Sequence, residues 1–188
     1  MDIGFILIFQ FSNDEICFIK NYEMKNIICI ILCISFSKIN LAQTDSMVLY
    51  YSFSSVPAFT ITTVPDSTMF KKIDIKKKKE TLIIFFSPDC EHCQNETKKM
   101  LADFELIKNM QIIMVSTMEH HYIKKFYEDF KIGDYPNIIM GREPTYQLGA
   151  YYKVQSLPTT FIYNKKGKFR KMFKGIIPVD QITEALHN

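Results

Sequence analysis

Hydrophobic and polar positions follow two different periods along this chain, and the changes between them predict an order of strands and helices. Residues 81–86 and 111–116 are continuous apolar runs rich in β-formers, which is typical of strands buried on both faces. A helical stripe of apolar residues follows each run, and strand, helix, strand, helix is the pattern of parallel βαβ units. The first stripe is Thr97, Met100, Leu101, Phe104 and Ile107, and the second is Tyr122, Ile123, Phe126 and Phe130.

Weaker signals extend this pattern at both ends. Residues 57–63 and 68–75 predict two strands joined by a turn at 65–67, and residues 136–141 predict a short strand followed by a helical turn at 146–152. Residues 160–163 and 169–173 predict a hairpin around the turn Asn164–Gly167. Pro178 opens a last helix, with Val179, Ile182 and Leu186 on its inner face. The chain is therefore predicted to hold one α/β domain over about residues 46–188.

The N-terminal part of the chain carries the pattern of an export signal. Met24 and Lys25 supply a start and a positive charge, about ten apolar residues follow over positions 27–36, and Ala42 is a small residue at a cleavage point. We therefore predict that residues 1–45 hold an N-terminal extension and a signal peptide, with translation starting at Met24 and cleavage near Ala42. The expected location is the periplasm or cell envelope of a bacterium. An uncleaved signal that anchors the protein in the membrane is the alternative.

Composition narrows the class of partner and draws attention to two cysteines. Hydrophobic residues make up 47% and charged residues 23% of the chain, and its net charge is +3. These values are typical of a globular protein and give no reason to expect nucleic acid as a partner. Cys17, Cys29 and Cys33 fall in the N-terminal part, whereas Cys90 and Cys93 stand together. If the signal is removed, the mature chain keeps Cys90 and Cys93 alone.

The sequence Cys90-Glu91-His92-Cys93 follows a predicted buried strand and opens a predicted helix. At this junction the first cysteine meets the free N–H groups and the positive dipole end of the helix, which favour a thiolate. We therefore predict that Cys90 attacks a substrate disulfide and that Cys93 resolves the mixed disulfide. A structural zinc site needs four ligands. No second CxxC pair and no histidine pair at zinc-ligand spacing follow, so we expect neither a metal nor a cofactor.

Side chains around the two cysteines are expected to tune their reactivity. A protonated or donating imidazole at His92 stabilises the Cys90 thiolate and makes the disulfide more oxidising. The carboxylates of Glu91 and Asp89 oppose this effect, because they repel the thiolate. We expect a reduction potential somewhat more oxidising than that of thioredoxin.

Two segments give the chain a family resemblance. The run TLIIFFSPDCEHC and the later SLPTTFIYNKKGK resemble the thioredoxin superfamily and, more narrowly, exported bacterial oxidoreductases of the TlpA/ResA type, over about residues 56–188. The resemblance implies a thioredoxin-like fold with a central mixed β-sheet flanked by helices. It also implies that Pro158 is cis and faces the cysteine pair, and that Leu157, Pro158 and Thr159 bind the substrate. Protein disulfides outside the cytoplasm would then be reduced, with a membrane-bound electron donor as partner.

The chain departs from the family pattern in ways that leave other functions open. Thioredoxins proper have a buried aspartate six residues before the first cysteine, and Ile84 stands there in this chain, so the proton must move by way of Glu91, water or the substrate. Ser87, three residues before Cys90, resembles peroxiredoxins, although Ile83 stands where their proline is expected. Two thiolates are also soft ligands for Cu(I). A peroxiredoxin-like thiol peroxidase and a Cu(I)-binding metallochaperone of the same fold are therefore the alternatives.

Overall fold

A computed structural model describes residues 53–187 of the chain. The signal segment predicted around Met24 and Ala42 lies outside these residues. Within the described part, no helix is long and apolar enough to cross a membrane.

The strands are β1 (Thr60–Thr63), β2 (Met69–Lys71), β3 (Thr81–Phe85), β4 (Gln111–Ser116), β5 (Ile138–Arg142), β6 (Thr159–Tyr163) and β7 (Phe169–Lys174). The helices are α1 (Glu91–Ala102), α2 (Phe104–Ile107), α3 (His120–Asp129), α4 (Gln147–Tyr151) and α5 (Val179–His187), with single 3₁₀ turns at Lys72–Asp74 and Ile132–Asp134.

The strands of the described residues form one seven-stranded mixed sheet in the order β2-β1-β5-β4-β3-β6-β7. β4 runs parallel to both β3 and β5, and the other neighbours are antiparallel. β3, β4 and β6 are buried along their whole length, as expected for central strands covered on both faces. This arrangement confirms the predicted mixed sheet flanked by helices. It also brings the carboxyl ends of β3 and β4 to the same edge of the sheet.

Successive residues of the central strands supply two separate cores, one on each face of the sheet. Leu82 and Ile84 of β3 pack into the first core, which α1, α3 and α5 cover. Ile83 and Phe85 pack into the second core, which α4 covers. Removing these continuous apolar runs from water is the main force that holds the sheet between its helices.

Aromatic side chains fill much of the second core. The ring of Phe53 lies 5.4 Å from the rings of Tyr152 and Phe161, measured between centroids. The hydroxyl oxygens of Tyr152 and Tyr163 are 2.7 Å apart within this core, so each buried hydroxyl has a partner. Phe53 is 2% exposed although it precedes the first predicted strand. The segment before β1 therefore contributes to the core.

The first two strands are shorter than predicted. β1 begins at Thr60 rather than at position 57, and the strand predicted over residues 68–75 is wrong beyond Lys71. There the backbone N–H of Lys71 donates to Asp74 Oδ2 at 2.8 Å, and a 3₁₀ turn follows. The carboxylate of Asp74 thus stabilises the turn at the end of β2. The turn predicted at 65–67 is confirmed, and the Val64–Pro65 peptide bond in it is cis.

Both helical stripes form helices, with two differences from the prediction. The first stripe is divided between α1 and α2, because Asp103 leaves helical geometry at φ −100° and ψ 22°. In the second stripe Ile123 and Phe126 are buried, but Tyr122 is 49% exposed. Tyr122 belongs to the helix as predicted, but it lines a surface cavity rather than the core.

Candidate redox site

Cys90 follows β3 after a short turn and begins the first helix. Its backbone is extended, and the residue is the N-cap of α1. The Sγ atom of Cys90 accepts a hydrogen bond from the backbone N–H of Cys93, with 3.3 Å between sulfur and nitrogen. The sulfur therefore lies at the positive end of the helix dipole, where a thiolate is favoured. The side chain is half-buried, so a substrate can reach it.

Cys93 lies in the same turn of α1 but is 1% exposed. Burial raises the pKa of the Cys93 thiol, and the hydrogen bond with Cys90 and the negative charge of Asp89 raise it further. Cys93 is therefore a protonated thiol at neutral pH. Both cysteines are free thiols in this structure. The pair thus consists of one accessible sulfur and one shielded sulfur.

The segment Leu157–Thr159 borders Cys90, and its Leu157–Pro158 peptide bond is cis. The Cys90 thiol donates to the carbonyl oxygen of Leu157 at 3.9 Å. Pro158 and Thr159 are buried: the Pro158 carbonyl accepts from the N–H of Gly175 at 2.8 Å, and the Thr159 hydroxyl donates to the Ser156 carbonyl at 2.6 Å. These bonds fix the segment, and they leave Leu157, which is 38% exposed, at its surface.

The residues predicted to tune the cysteines lie on the surface. Glu91 and His92 occupy the first turn of α1, and both side chains are exposed. Asp89 is exposed as well, and its carboxylate accepts a hydrogen bond from the Ser87 hydroxyl. Solvent and salt weaken the effect of such exposed charges on the sulfur of Cys90.

A buried carboxylate that the sequence patterns did not reveal lies on the same helix. Glu96 is 3% exposed and follows Cys93 by three residues, which places both on one face of α1. Burial raises the pKa of Glu96 to about 7, and a hydrogen bond from the N–H of Ile177 limits the rise. The signal that could have found it is a charged residue inside an apolar helical stripe. Ile84, at the position of the thioredoxin aspartate, is buried and apolar.

Two cavities adjoin the turn that leads to Cys90. The Leu157 cavity has a volume of about 380 Å³, and the Tyr122 cavity has one of about 460 Å³. A wider groove beside β1 and β2 contains none of the predicted site residues. The Leu157 cavity is lined in part by Phe85, Phe86, Val115, Tyr146, Val154 and Leu157. The Tyr122 cavity is lined in part by Pro88, Asp89, Met118, Tyr122, Phe126 and Phe130.

Comparison with known families agrees with this geometry. A family model described as a thioredoxin-like domain matches residues 67–188. The chain belongs to this thioredoxin-like family. The predicted superfamily and fold are thereby confirmed, and the matched range includes the cysteine pair and the Leu157–Pro158 bond. No curated protein matches the chain in sequence.

Solved structures of bacterial members of the thioredoxin-like family share this fold. A secreted disulfide oxidoreductase of Mycobacterium tuberculosis, homologous to Escherichia coli DsbE, is 15% identical with a TM-score of 0.56, and the match covers 68% of this chain and 93% of that one. StoA of Bacillus subtilis is 18% identical with a TM-score of 0.52, covering 70% and 98%. The exposed lipoprotein thioredoxin Etrx1 of Streptococcus pneumoniae is 23% identical with a TM-score of 0.54, covering 70% and 98%. At such identities the likeness shows the shared fold.

Proposed function

We propose that the protein is a thiol-disulfide oxidoreductase that acts on the disulfides of other proteins. The observation that carries this proposal is the position of the Cys90 sulfur. It is accessible, it lies 3.3 Å from the backbone nitrogen of Cys93, and it lies 3.9 Å from the carbonyl oxygen of Leu157. These contacts supply an accessible sulfur at a helix N-terminus, a second thiol within one helical turn, and a backbone edge on which a substrate strand can lie.

In the reductive direction, the Cys90 thiolate attacks one sulfur of the substrate disulfide. A bond forms between Cys90 and that sulfur, the substrate S–S bond breaks, and the second substrate sulfur leaves as a thiolate that takes up a proton. Cys93 then loses its proton and attacks the Cys90 sulfur, which releases the first substrate sulfur as a thiol. The substrate has gained two electrons and two protons, and the protein is left with a disulfide between Cys90 and Cys93.

The proton of Cys93 must leave after the mixed disulfide has formed. We propose Glu96 rather than Glu91 as its acceptor. Glu96 is buried on the same helix face as Cys93 and has a pKa of about 7, whereas Glu91 is exposed. A base whose pKa lies near the working pH is effective, because it is partly ionised and still basic.

Leu157, Pro158 and Thr159 take different parts in the proposed substrate site. Leu157 is the exposed member, so its backbone and side chain are available to the substrate. Pro158 and Thr159 are buried, and their hydrogen bonds to Gly175 and Ser156 hold the segment beside Cys90. The adjoining Leu157 cavity offers an apolar surface to a neighbouring side chain of the substrate.

We propose that the protein works in the reductive direction and outside the cytoplasm. A membrane-bound electron donor would then reduce the Cys90–Cys93 disulfide back to two thiols. The likeness to a secreted oxidoreductase and to an exposed lipoprotein supports this location. His92, in the first turn of α1, favours a potential more oxidising than that of thioredoxin. Equilibration with glutathione measures this potential, and a value as reducing as that of thioredoxin would contradict the role given to His92.

Reduction of insulin in the presence of dithiothreitol tests the proposed activity. We expect the protein to accelerate insulin reduction, and we expect Cys90→Ser and Cys93→Ser each to abolish the acceleration. Met69→Ala serves as the control, because Met69 is 70% exposed on the short strand β2 and belongs to neither cavity beside Cys90. A parent protein that leaves the rate at that of dithiothreitol alone would contradict the proposal.

The same protein tests the two alternatives. The Ser87 hydroxyl donates a hydrogen bond to the Asp89 carboxylate, and Ile83 is buried within β3. Peroxide consumption faster than that of free thiols, without insulin reduction, would favour the peroxidase. Within residues 53–187, no group of three or more His, Cys, Asp or Glu residues is placed to hold a metal ion. Stoichiometric retention of Cu(I) without insulin reduction would favour the metallochaperone.

A further inference from the structure

The Leu157 cavity and the Tyr122 cavity are lined by neighbouring residues on two short stretches of chain, one of which leads to Cys90. Phe86 lines the first cavity and Pro88 lines the second, so Ser87 separates them. After β4, Thr117 lines the first cavity, and the next residue, Met118, lines the second. Both cavities therefore border the turn that leads to Cys90, and only the first has Leu157 in its lining.

The Tyr122 cavity has an aromatic wall supplied by α3. Tyr122, Phe126 and Phe130 are spaced by four residues, so they follow one another along one face of the helix. The rings of Phe126 and Phe130 are stacked at 4.2 Å between centroids, and Phe86 supports Phe126 from the core at 5.0 Å. Tyr122 is 49% exposed at this wall. Phe126 and Phe130 are thus packed, whereas Tyr122, whose ring lies 4.0 Å from the ring of His121 between centroids, remains accessible to a ligand.

The charged side chains that line the Tyr122 cavity leave it with a net negative charge. They are Asp89, Lys125 and Asp129. The ammonium group of Lys125 lies 2.9 Å from both carboxylate oxygens of Asp129, so these two charges compensate each other. Asp89 lies directly before Cys90, and no cation of the cavity lining is paired with its carboxylate. The exposed carboxylate of Glu91, on the first turn of α1, adds to the negative charge near the sulfur.

We infer that the Tyr122 cavity receives an arginine side chain of the protein substrate, close in sequence to the cysteine that Cys90 attacks; this inference rests on the proposed function. A planar guanidinium can pair with the carboxylate of Asp89 and lie over the accessible ring of Tyr122. Its aliphatic stem covers the apolar part of the cavity. A substrate carboxylate at the same place meets the carboxylate of Asp89 and is repelled. The substrate class is thus a protein whose reactive disulfide has a basic neighbour.

Short synthetic peptides test this inference. Each contains one cysteine joined by a disulfide to 5-thio-2-nitrobenzoate, and arginine, glutamine or glutamate occupies positions on either side of the cysteine. Reduced Cys93→Ser protein attacks the peptide sulfur through Cys90 and releases the coloured thiolate once. We expect the arginine peptide to react about fivefold faster than the glutamate peptide at low salt, a difference typical of a few partly exposed charges.

Three further substitutions in this protein locate the preference. Asp89→Asn and Tyr122→Ala are expected to reduce the ratio of arginine to glutamate rates to about twofold or less. Glu128→Gln is the matched control, because it removes a carboxylate of α3 that does not line the cavity. In this variant the ratio of arginine to glutamate rates should persist. The ratio cancels any general change that Asp89→Asn causes in the reactivity of Cys90.

The outcomes separate the inference from the proposed function. Failure of every peptide to release the thiolate would contradict the proposed function. Rapid release at equal rates for all three peptides, or faster release from the glutamate peptide, would overturn the inference and leave the proposed function intact. An arginine preference that persists in both Asp89→Asn and Tyr122→Ala would also overturn it, because the basic residue is then recognised elsewhere.

Discussion

The carboxylate of Glu96 accepts a hydrogen bond from the backbone N–H of Ile177, at 2.7 Å, across 81 residues of sequence. The helix that carries the cysteine pair is thereby tied to the segment that leads into α5. Because burial raises the pKa of Glu96 to about 7, the carboxyl group that makes this contact gains or loses its proton near neutral pH. Stability and the final step of the proposed reaction therefore respond to pH through the same group.

Glu96→Gln is expected to flatten the dependence of stability on pH. The pKa of about 7 in the folded protein exceeds the ordinary value of 4.5, so the folded state binds the proton more tightly than the unfolded chain. The resulting stability is fully present below pH 4.5 and is lost as the pH rises through 7. Glutamine keeps an acceptor for Ile177 and does not ionise. Urea unfolding of the reduced proteins at pH 4.5 and pH 8 measures the effect. The free energy of unfolding of the variant, relative to that of the parent, should rise by about 2–3 kcal/mol between these two pH values. The same relative value at both pH values would count against a raised pKa.

The same substitution tests Glu96 as the proton acceptor of Cys93. In the parent, the rate of resolution of a Cys90 mixed disulfide should rise as Glu96 ionises near pH 7. We expect this rise to disappear in Glu96→Gln and to persist in Glu91→Gln, since Glu91 is exposed. Stopped-flow measurement of the second thiol release gives the pH profile. Loss of the rise in Glu91→Gln instead would assign the role to that residue.

Alkylation is expected to distinguish the two thiols. Cys90 is half-buried at a helix N-terminus, whereas Cys93 is 1% exposed and burial raises the pKa of its thiol. Iodoacetamide at pH near neutral should therefore modify Cys90 on the order of a hundredfold faster than Cys93, because only a thiolate reacts. Peptide mapping by mass spectrometry follows both sites, and denaturant should equalise them. Equal rates in the native protein would contradict the assigned roles.

Gly141→Ala is expected to weaken the sheet where β5 meets β1. Gly141 pairs with Thr63, and an added Cβ would lie 2.6 Å from the backbone carbonyl oxygen of Thr62. Backbone atoms in a ladder move little, so the free energy of unfolding should fall by about 2 kcal/mol or more. Gly133→Ala is the control, because its added Cβ meets the far end of the Tyr127 side chain, at 3.0 Å, which can turn away. Equal free energies of unfolding for the two variants would show that the backbones of β1 and β5 leave room for a Cβ atom at Gly141.

The central strands and the cysteine pair could be predicted from the sequence because their signals are local. A continuous apolar run needs two covered faces wherever it lies, and a CxxC after such a run can begin a helix. Local side-chain contacts were harder to foresee: the carboxylate of Asp74 accepts from the N–H of Lys71 and stabilises a 3₁₀ turn directly after β2. Phe53 joins the core without belonging to any periodic segment.

The surroundings of the cysteines depend on contacts between distant segments, and these have no local signal. Glu96 stands inside an apolar helical stripe, but no residue near it in the sequence shows that the segment at Ile177 covers it. Tyr122 continues an apolar stripe, yet it lines a cavity because the end of β4 and the turn before Cys90 leave room beside α3. The cavity beside Tyr122 lies where the carboxyl ends of β3 and β4 come to the same edge of the sheet.

The attack of Cys90 on a protein disulfide can be measured directly by trapping. Reduced Cys93→Ser protein is mixed with a disulfide-containing protein, and the adduct is mapped by mass spectrometry with and without dithiothreitol. We predict one covalent adduct per protein, joined through the Cys90 sulfur and released by dithiothreitol. No adduct with Cys93→Ser, or an equal adduct through Cys93 in Cys90→Ser, would contradict the assignment of Cys90 as the attacking sulfur.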